Sequence, residues 1–284
     1  MPTTTSRDGT TIAFERSGHG PALILVDGAL MHRALDEAAG QLVELLAPHL
    51  TVLRYDRRGR GESTDRQPFA LQREIEDIEA LIGEAGGSAS LYGISSGAAL
   101  AMEAAIALPG NVEKLVMYEA PYNSEETARE AWREYRRRLE ELLAAGRRGD
   151  AVVLFAMLVG MPAEQADELR RMPTWPSWEA VAPTLAYDAA ALGEDASVPV
   201  ERARRVPMPA LIMAGGETYP FMHDTARALA AAMPHAEYRV LEGQTRKREG
   251  TYKNDLLEGE VKEYDEKGRM ISNVRYVAGK PVAP

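Results

Sequence analysis

One pentapeptide in this chain has the residue types and spacing of a covalent catalyst: Gly93-Ile94-Ser95-Ser96-Gly97. A serine hydroxyl is a poor nucleophile in solution, so it must be exposed on a sharp turn, next to a proton acceptor and to donors that stabilise an oxyanion. The two glycines answer the first need. Without Cβ atoms, they let the segments before and after Ser95 approach closely. The pentapeptide follows an expected strand, Ser88 to Tyr92, and opens an alanine-rich helix, Ala98 to Leu108. The helix's first N–H groups then point at the turn. This strand, turn and helix context converts a short pattern into an expectation that Ser95 forms an acyl-serine.

The flanking sequence supplies the frame. Thr10 to Ser17 alternates like a strand, and Ala22 to Val26 is a short apolar run ending at Asp27-Gly28, as a buried parallel strand would. Helical spacing follows from Ala34 to Leu50, with Leu35, Leu42, Leu45 and Leu46 on one face. Thr51 to Tyr55 is the next strand, stopped by Asp56-Arg57-Arg58-Gly59-Arg60-Gly61, and Ile75, Ile78, Leu81 and Ile82 mark another amphipathic helix. Lys114 to Tyr118 repeats the strand pattern. Such alternation implies a mostly parallel sheet flanked by helices.

From Ser124 the strands stop. A charged helix, Thr127 to Ala145, precedes Ala151 to Val159 and the stretch Trp175-Pro176-Ser177-Trp178, and the next strand is Ala210 to Ala214. The expected organisation is a core in residues 1–123 and 207–245, a helical cap in 124–206, and a tail in 246–284. Helix Thr225 to Met233 and strand Glu237 to Leu241 complete the core. In the tail, Glu249 to Tyr264 and Arg269 to Val277 alternate with a period of two around the turn Asp265-Glu266-Lys267-Gly268, which predicts a β-meander. The cap residues Trp132, Trp175 and Trp178, with Phe155 and Met157, are candidates for lining an apolar pocket; packing the cap's own core is the alternative. The charged run Arg133 to Arg138 reads as a solvated helix face.

Residues from about 10 to 245 resemble the capped α/β-hydrolases. The resemblance rests on Val26-Asp27-Gly28-Ala29, Tyr55 to Ser63, the Ser95 pentapeptide and Leu211-Ile212-Met213-Ala214-Gly215-Gly216-Glu217. It implies an α/β-hydrolase fold with a helical cap insertion, and oxyanion donors from the backbone of Ala29 and Ser96. It also implies an acid at Glu217, with Asp224 as the fallback, while Asp56 to Ser63 shapes a loop by hydrogen bonding. The family's histidine falls where this chain has Arg246, after Val240-Leu241-Glu242-Gly243-Gln244-Thr245. A guanidinium with a pKa above about 12 cannot accept the serine proton. The family's last helix is replaced by the tail. With Tyr252-Lys253-Asn254, Glu258-Gly259-Glu260 and Tyr264 to Gly268 in order, the tail resembles the MORN-like repeats of the YwqK-type antitoxin family.

The chain has 5 histidines. His19, His49 and His235 read as surface residues; His32, just past the oxyanion loop, and His223, near a helix start, are candidate pocket contacts. No spacing suits a metal, and no cofactor is expected. The chain is 284 residues long, 45% hydrophobic, has no cysteine and carries a formal net charge of −10. Disulfide and thiolate chemistry are therefore excluded, and an acidic balance argues against nucleic-acid or anionic-membrane partners. Without an apolar leader or a run near the roughly 18 residues of a span, a soluble cytoplasmic protein is expected. The expected function is hydrolysis of a small ester, lactone or related acyl compound, impaired by the loss of the base. A non-catalytic binding or scaffold protein, and a hydrolase joined to a foreign tail, are the alternatives. The expected partner is a small-molecule substrate, and a bare edge strand or the tail would offer a surface for self-association.

Overall fold

A computed structural model describes residues 2–242 and, beyond them, the backbone of four strands. Residues 243–247, including Arg246, lie outside the described residues, as does the turn at 265–269. The strands are β1 (Thr3–Thr5), β2 (Thr11–Ser17), β3 (Ala22–Val26), β4 (Thr51–Tyr55), β5 (Ala89–Ile94), β6 (Val112–Tyr118), β7 (Ala210–Gly215) and β8 (Ala236–Leu241). They form one sheet in the order β1-β2-β4-β3-β5-β6-β7-β8. β1 and β2 enter antiparallel, and every pairing from β4 to β8 is parallel. The sheet's order reverses around β3 and β5, so the loops after these strands meet at its carboxyl edge. Open α/β sheets bind ligands at such a place.

Helices α1 (Glu37–Leu46), α2 (Leu71–Glu84) and α3 (Ser96–Ala107) follow β3, β4 and β5. Between β6 and β7 the described chain is helical: α4 (Glu126–Ala144), α5 (Arg148–Leu158), α6 (Ala166–Leu169), α7 (Trp175–Val181), α8 (Leu185–Leu192) and α9 (Val200–Ala203). Helix α10 (Pro220–Ala232) precedes β8. α3 is buried over nearly its whole length and packs on α8, so the inserted helices and the sheet share one apolar core. Ala-rich α3 suits this position because small side chains let helix and neighbours approach on all sides.

Two helix starts that differ from the pattern have a local cause. α1 starts at Glu37 rather than Ala34, because the Asp36 carboxylate accepts the Ala39 N–H at 2.8 Å and caps the helix there. None of its residues is buried and Leu45 is 74% exposed, while Val43 and Leu46 cover a small cluster of Leu23, Leu25 and Val52. α10 starts at Pro220, whose fixed φ suits a first helical turn, rather than at Thr225. In the tail, β9 (Arg248–Lys253), β10 (Leu256–Tyr264), β11 (Met270–Val277) and β12 (Lys280–Val282) pair antiparallel in sequence order, which makes a meander.

Candidate active site

Ser95 sits between β5 and α3 with φ 55° and ψ −128°. A non-glycine residue in this region is strained by about 1–3 kcal/mol, a cost held by surrounding structure. That structure is specific. A Cβ at Gly93 would lie 2.4 Å from the Gly97 carbonyl oxygen, and one at Gly97 would lie 2.2 Å from the Val26 carbonyl oxygen. The Ser95 N–H donates to the Tyr118 carbonyl at 2.9 Å, which ties the turn to the end of β6. Gly28 packs on the other side, where a Cβ would approach the Ser95 Cβ to 3.2 Å. The loop after β3 and the Ser95 turn are therefore in direct contact.

Ala29, Ser95 and Ser96 line a cavity of about 270 Å³. Its other walls include Trp132 and Tyr135 of α4, Phe155 and Leu158 of α5, Leu192 of α8 and Phe221 of α10. Two carboxylates, Asp188 and Asp195, also face it, and among the described residues no lysine, arginine or histidine lines it. Asp195 accepts from the Ser197 hydroxyl and backbone N–H and is bound by Arg129 at 2.6 Å, which together hold it below the usual carboxylate range at about 2.

Beneath this cavity lies a buried ionic cluster drawn from the Asp56 to Ser63 loop. Arg57, Arg58 and Arg60 are at most 1% exposed. Arg57 makes a two-pronged pair with Glu74 at 2.7 and 2.9 Å and donates to the Asp27 carbonyl and to Asp188. Arg58 binds Asp77 and Asp8. Arg60 donates to Thr184, to the Gly28 carbonyl and to Asp188. Gly61 is required because a Cβ would meet Asp56 Oδ2 at 2.3 Å, while Asp56 accepts from the backbone of Arg33 and Glu62. Burial opposes the charge on Asp188, but Arg60, Arg57 and the Ser96 hydroxyl outweigh it and hold the carboxyl below its ordinary value. Asp27 has a buried Oδ2 with no hydrogen-bond partner among the described residues; burial, then the charge of Asp36, push it up to about 6.

The sequence-derived candidates thus separate. Ser95, Ala29, Ser96 and Trp132 share the cavity. Trp175 is buried against Arg170 and beside Gly149, and Trp178 packs on the core, so neither reaches the cavity lining. Glu217 is exposed in the turn after β7, and Asp224 is exposed and paired with Arg227. His32 is buried outside the lining; burial lowers its pKa, and its Nδ1 lacks a partner among the described residues. His223 meets the Tyr238 hydroxyl at 2.7 Å, and His19, His49 and His235 are exposed. Two residues were not singled out in the sequence. Asp188 gives no signal within its alanine-rich helix. Glu119, one residue past the strand partner of Ile94, has φ 50° and accepts the Gly215 N–H at 3.1 Å; its only sequence signal is its place at a strand end. Among the described residues no group of three or more histidine and carboxylate side chains is placed to hold a metal ion, and no helix is long and apolar enough to cross a membrane.

Comparison with known proteins agrees with this fold. An alpha/beta hydrolase from Sphaerobacter thermophilus DSM 20745 is 44% identical, with a TM-score of 0.76 over 86% of this chain and 94% of that one. The enol-lactonase from Burkholderia xenovorans LB400 shares the fold at 21% identity, with a TM-score of 0.58 over 85% and 91% of the two chains. A pimeloyl-[acyl-carrier protein] methyl ester esterase of Xylella fastidiosa (strain M12) is 37% identical over 108 residues, 38% of this chain. That match spans 39% of the esterase, about two fifths of its length. The family model described as Alpha/beta hydrolase family matches residues 18–245, and the chain belongs to that family.

Proposed function

We propose that this chain hydrolyses small, neutral carboxylic esters or lactones with apolar acyl groups through an acyl-serine on Ser95. The observation that carries this is the strained Ser95 backbone at the wall of an apolar cavity, with Ala29 and Ser96 beside it. Ser95 Oγ attacks the carbonyl carbon, the bond to the leaving alcohol breaks, and the serine proton passes through solvent to the alcohol. Water then cleaves the acyl-serine, releasing the acid and restoring the hydroxyl. The N–H groups of Ala29 and Ser96 stabilise the oxyanion in both steps. Glu217 keeps the acid's place in this scheme, and Glu119 is a second carboxylate at the same sheet edge.

Arg246 stands where the base belongs, so turnover is slow. In serine hydrolases lacking a triad member, oxyanion and binding contributions still leave about 10³–10⁴-fold catalysis over water. A small-molecule binder without turnover is the second reading, favoured by the absence of histidine from the cavity lining among the described residues. Short-chain nitrophenyl esters separate the two. Hydrolysis that disappears in Ser95→Ala and rises in Arg246→His supports the enzyme; rates unchanged in both variants would leave the binder.

A further inference from the structure

Two backbone amides are assigned to the oxyanion in the scheme above: Ser96 is bound directly by Asp188, and Ala29 is linked to the same carboxylate through Arg60 and the Gly28 carbonyl. Asp188 of α8 accepts the Ser96 hydroxyl at 2.8 Å on Oδ1 and Arg60 at 2.7 Å on Oδ2. Arg60 in turn donates to the Gly28 carbonyl oxygen at 2.6 Å. That carbonyl belongs to the peptide whose N–H is Ala29's.

We propose that Arg60, braced by Asp188, is a positioning residue that fixes the Ala29 N–H as an oxyanion donor. The inference rests on the Ser95 reading. A trans peptide is planar, with its C=O and N–H directed oppositely, so gripping the Gly28 oxygen sets the direction of the Ala29 N–H. The grip is rigid because the guanidinium is a planar fork: Nε donates to Thr184 Oγ1 at 3.0 Å while its two terminal nitrogens take Gly28 and Asp188. A charged donor on the carbonyl also polarises the amide, which strengthens the N–H at the other end. Arg60 is 1% and Asp188 4% exposed, so solvent screens neither effect. Both Thr184 and Asp188 lie in the inserted helical region, so a displacement of α8 is relayed to Ala29 and Ser96 together.

The role differs from simple packing in what it affects. An alkyl boronic acid forms a tetrahedral anion on a serine and reports the oxyanion donors; the matching alkyl amide reports only ground-state binding. Arg60→Met is expected to lower kcat on nitrophenyl butyrate by about 10- to 100-fold and to weaken boronate binding in parallel. KM and amide affinity should stay within about twofold, the signature of an interaction made in the transition state. Arg60→Lys should recover little, because one ammonium cannot span three acceptors. If Arg60→Met does not fold, Thr184→Val, which removes the Arg60 Nε acceptor from outside the cavity lining, carries the test with the same direction of split. A folded variant with unchanged boronate affinity, or one whose KM rises while kcat holds, would overturn the proposal. Fluorophosphonate labelling separates its failure from that of the underlying reading. Labelled Ser95 with normal boronate binding in Arg60→Met defeats the positioning role alone, whereas unlabelled Ser95 with an active Ser95→Ala removes the ground of both.

Discussion

The Ser96 hydroxyl donates to Asp188 Oδ1 at 2.8 Å, linking residues 92 positions apart in the chain. One belongs to the turn that presents Ser95, the other to a helix inserted between β6 and β7. The contact is buried and shares its carboxylate with Arg57 and Arg60, so the inserted helices are part of the site's support rather than a separate lid.

That support has a stability consequence. Arg57→Met leaves Glu74, 1% exposed, without its two-pronged partner and takes one of two arginines from Asp188. Removing one member of a buried pair costs about 3–5 kcal/mol, because the remaining charge stays out of water. Urea unfolding should show the loss as a lower midpoint with an unchanged slope.

The turn itself predicts a sharper intolerance. Gly97→Ala places a Cβ 2.2 Å from the Val26 carbonyl oxygen, a backbone atom that cannot rotate away. A destabilisation of about 3 kcal/mol or more is expected from such overpacking. Gly110→Ala, where a Cβ meets nothing within 4 Å, is the control and should leave the thermal midpoint nearly unchanged.

Selectivity should follow charge. Asp188 and Asp195 face an otherwise apolar cavity, so a nitrophenyl hemisuccinate brings a third carboxylate among aromatic walls. Butyrate esters should be favoured in kcat/KM by about tenfold or more over hemisuccinate esters, the direction set by the cost of desolvating a carboxylate where the cavity's own carboxylates have already taken the nearby arginines. Equal values would show that the acyl group lies elsewhere.

Asp27 makes stability depend on pH. Its carboxyl is pushed up to about 6 in the fold, against about 3.9 in an unfolded chain, so the folded state keeps a proton that the unfolded state has released. The stability from this group is therefore full below about pH 4, falls as pH rises through 6, and is then lost, a change of about 3 kcal/mol. Asp27→Asn should gain on the native chain between pH 4 and 7 by this amount. Parallel stability curves for the two would contradict it.

Much of the frame was legible because it obeys simple periods. β3, β4 and β7 are short apolar runs, and the Ser95 turn announces itself by its two glycines. Elements without such a signal were missed. β1 is three threonines, Thr3–Thr5, and pairs with β2 at the sheet edge with no apolar face to reveal it. Trp175 and Trp178 looked like pocket residues by type, but type does not distinguish a cavity wall from a helix contact. Arg57, Arg58 and Arg60 read as loop-shaping polar residues, which they are. The complete burial of Arg57 and Arg60 could not be foreseen, since their partners Asp188 and Thr184 lie more than 120 residues away in sequence. Asp188 was invisible for the same reason.

The central claim is that Ser95 is the reacting nucleophile, and peptide mapping after incubation with a fluorophosphonate tests it most directly. The expected result is a single covalent adduct on Ser95, formed slowly in the native chain, faster in Arg246→His, and absent in Ser95→Ala. An unmodified Ser95 peptide in both the native chain and Arg246→His, or an adduct on another residue that persists in Ser95→Ala, would contradict it.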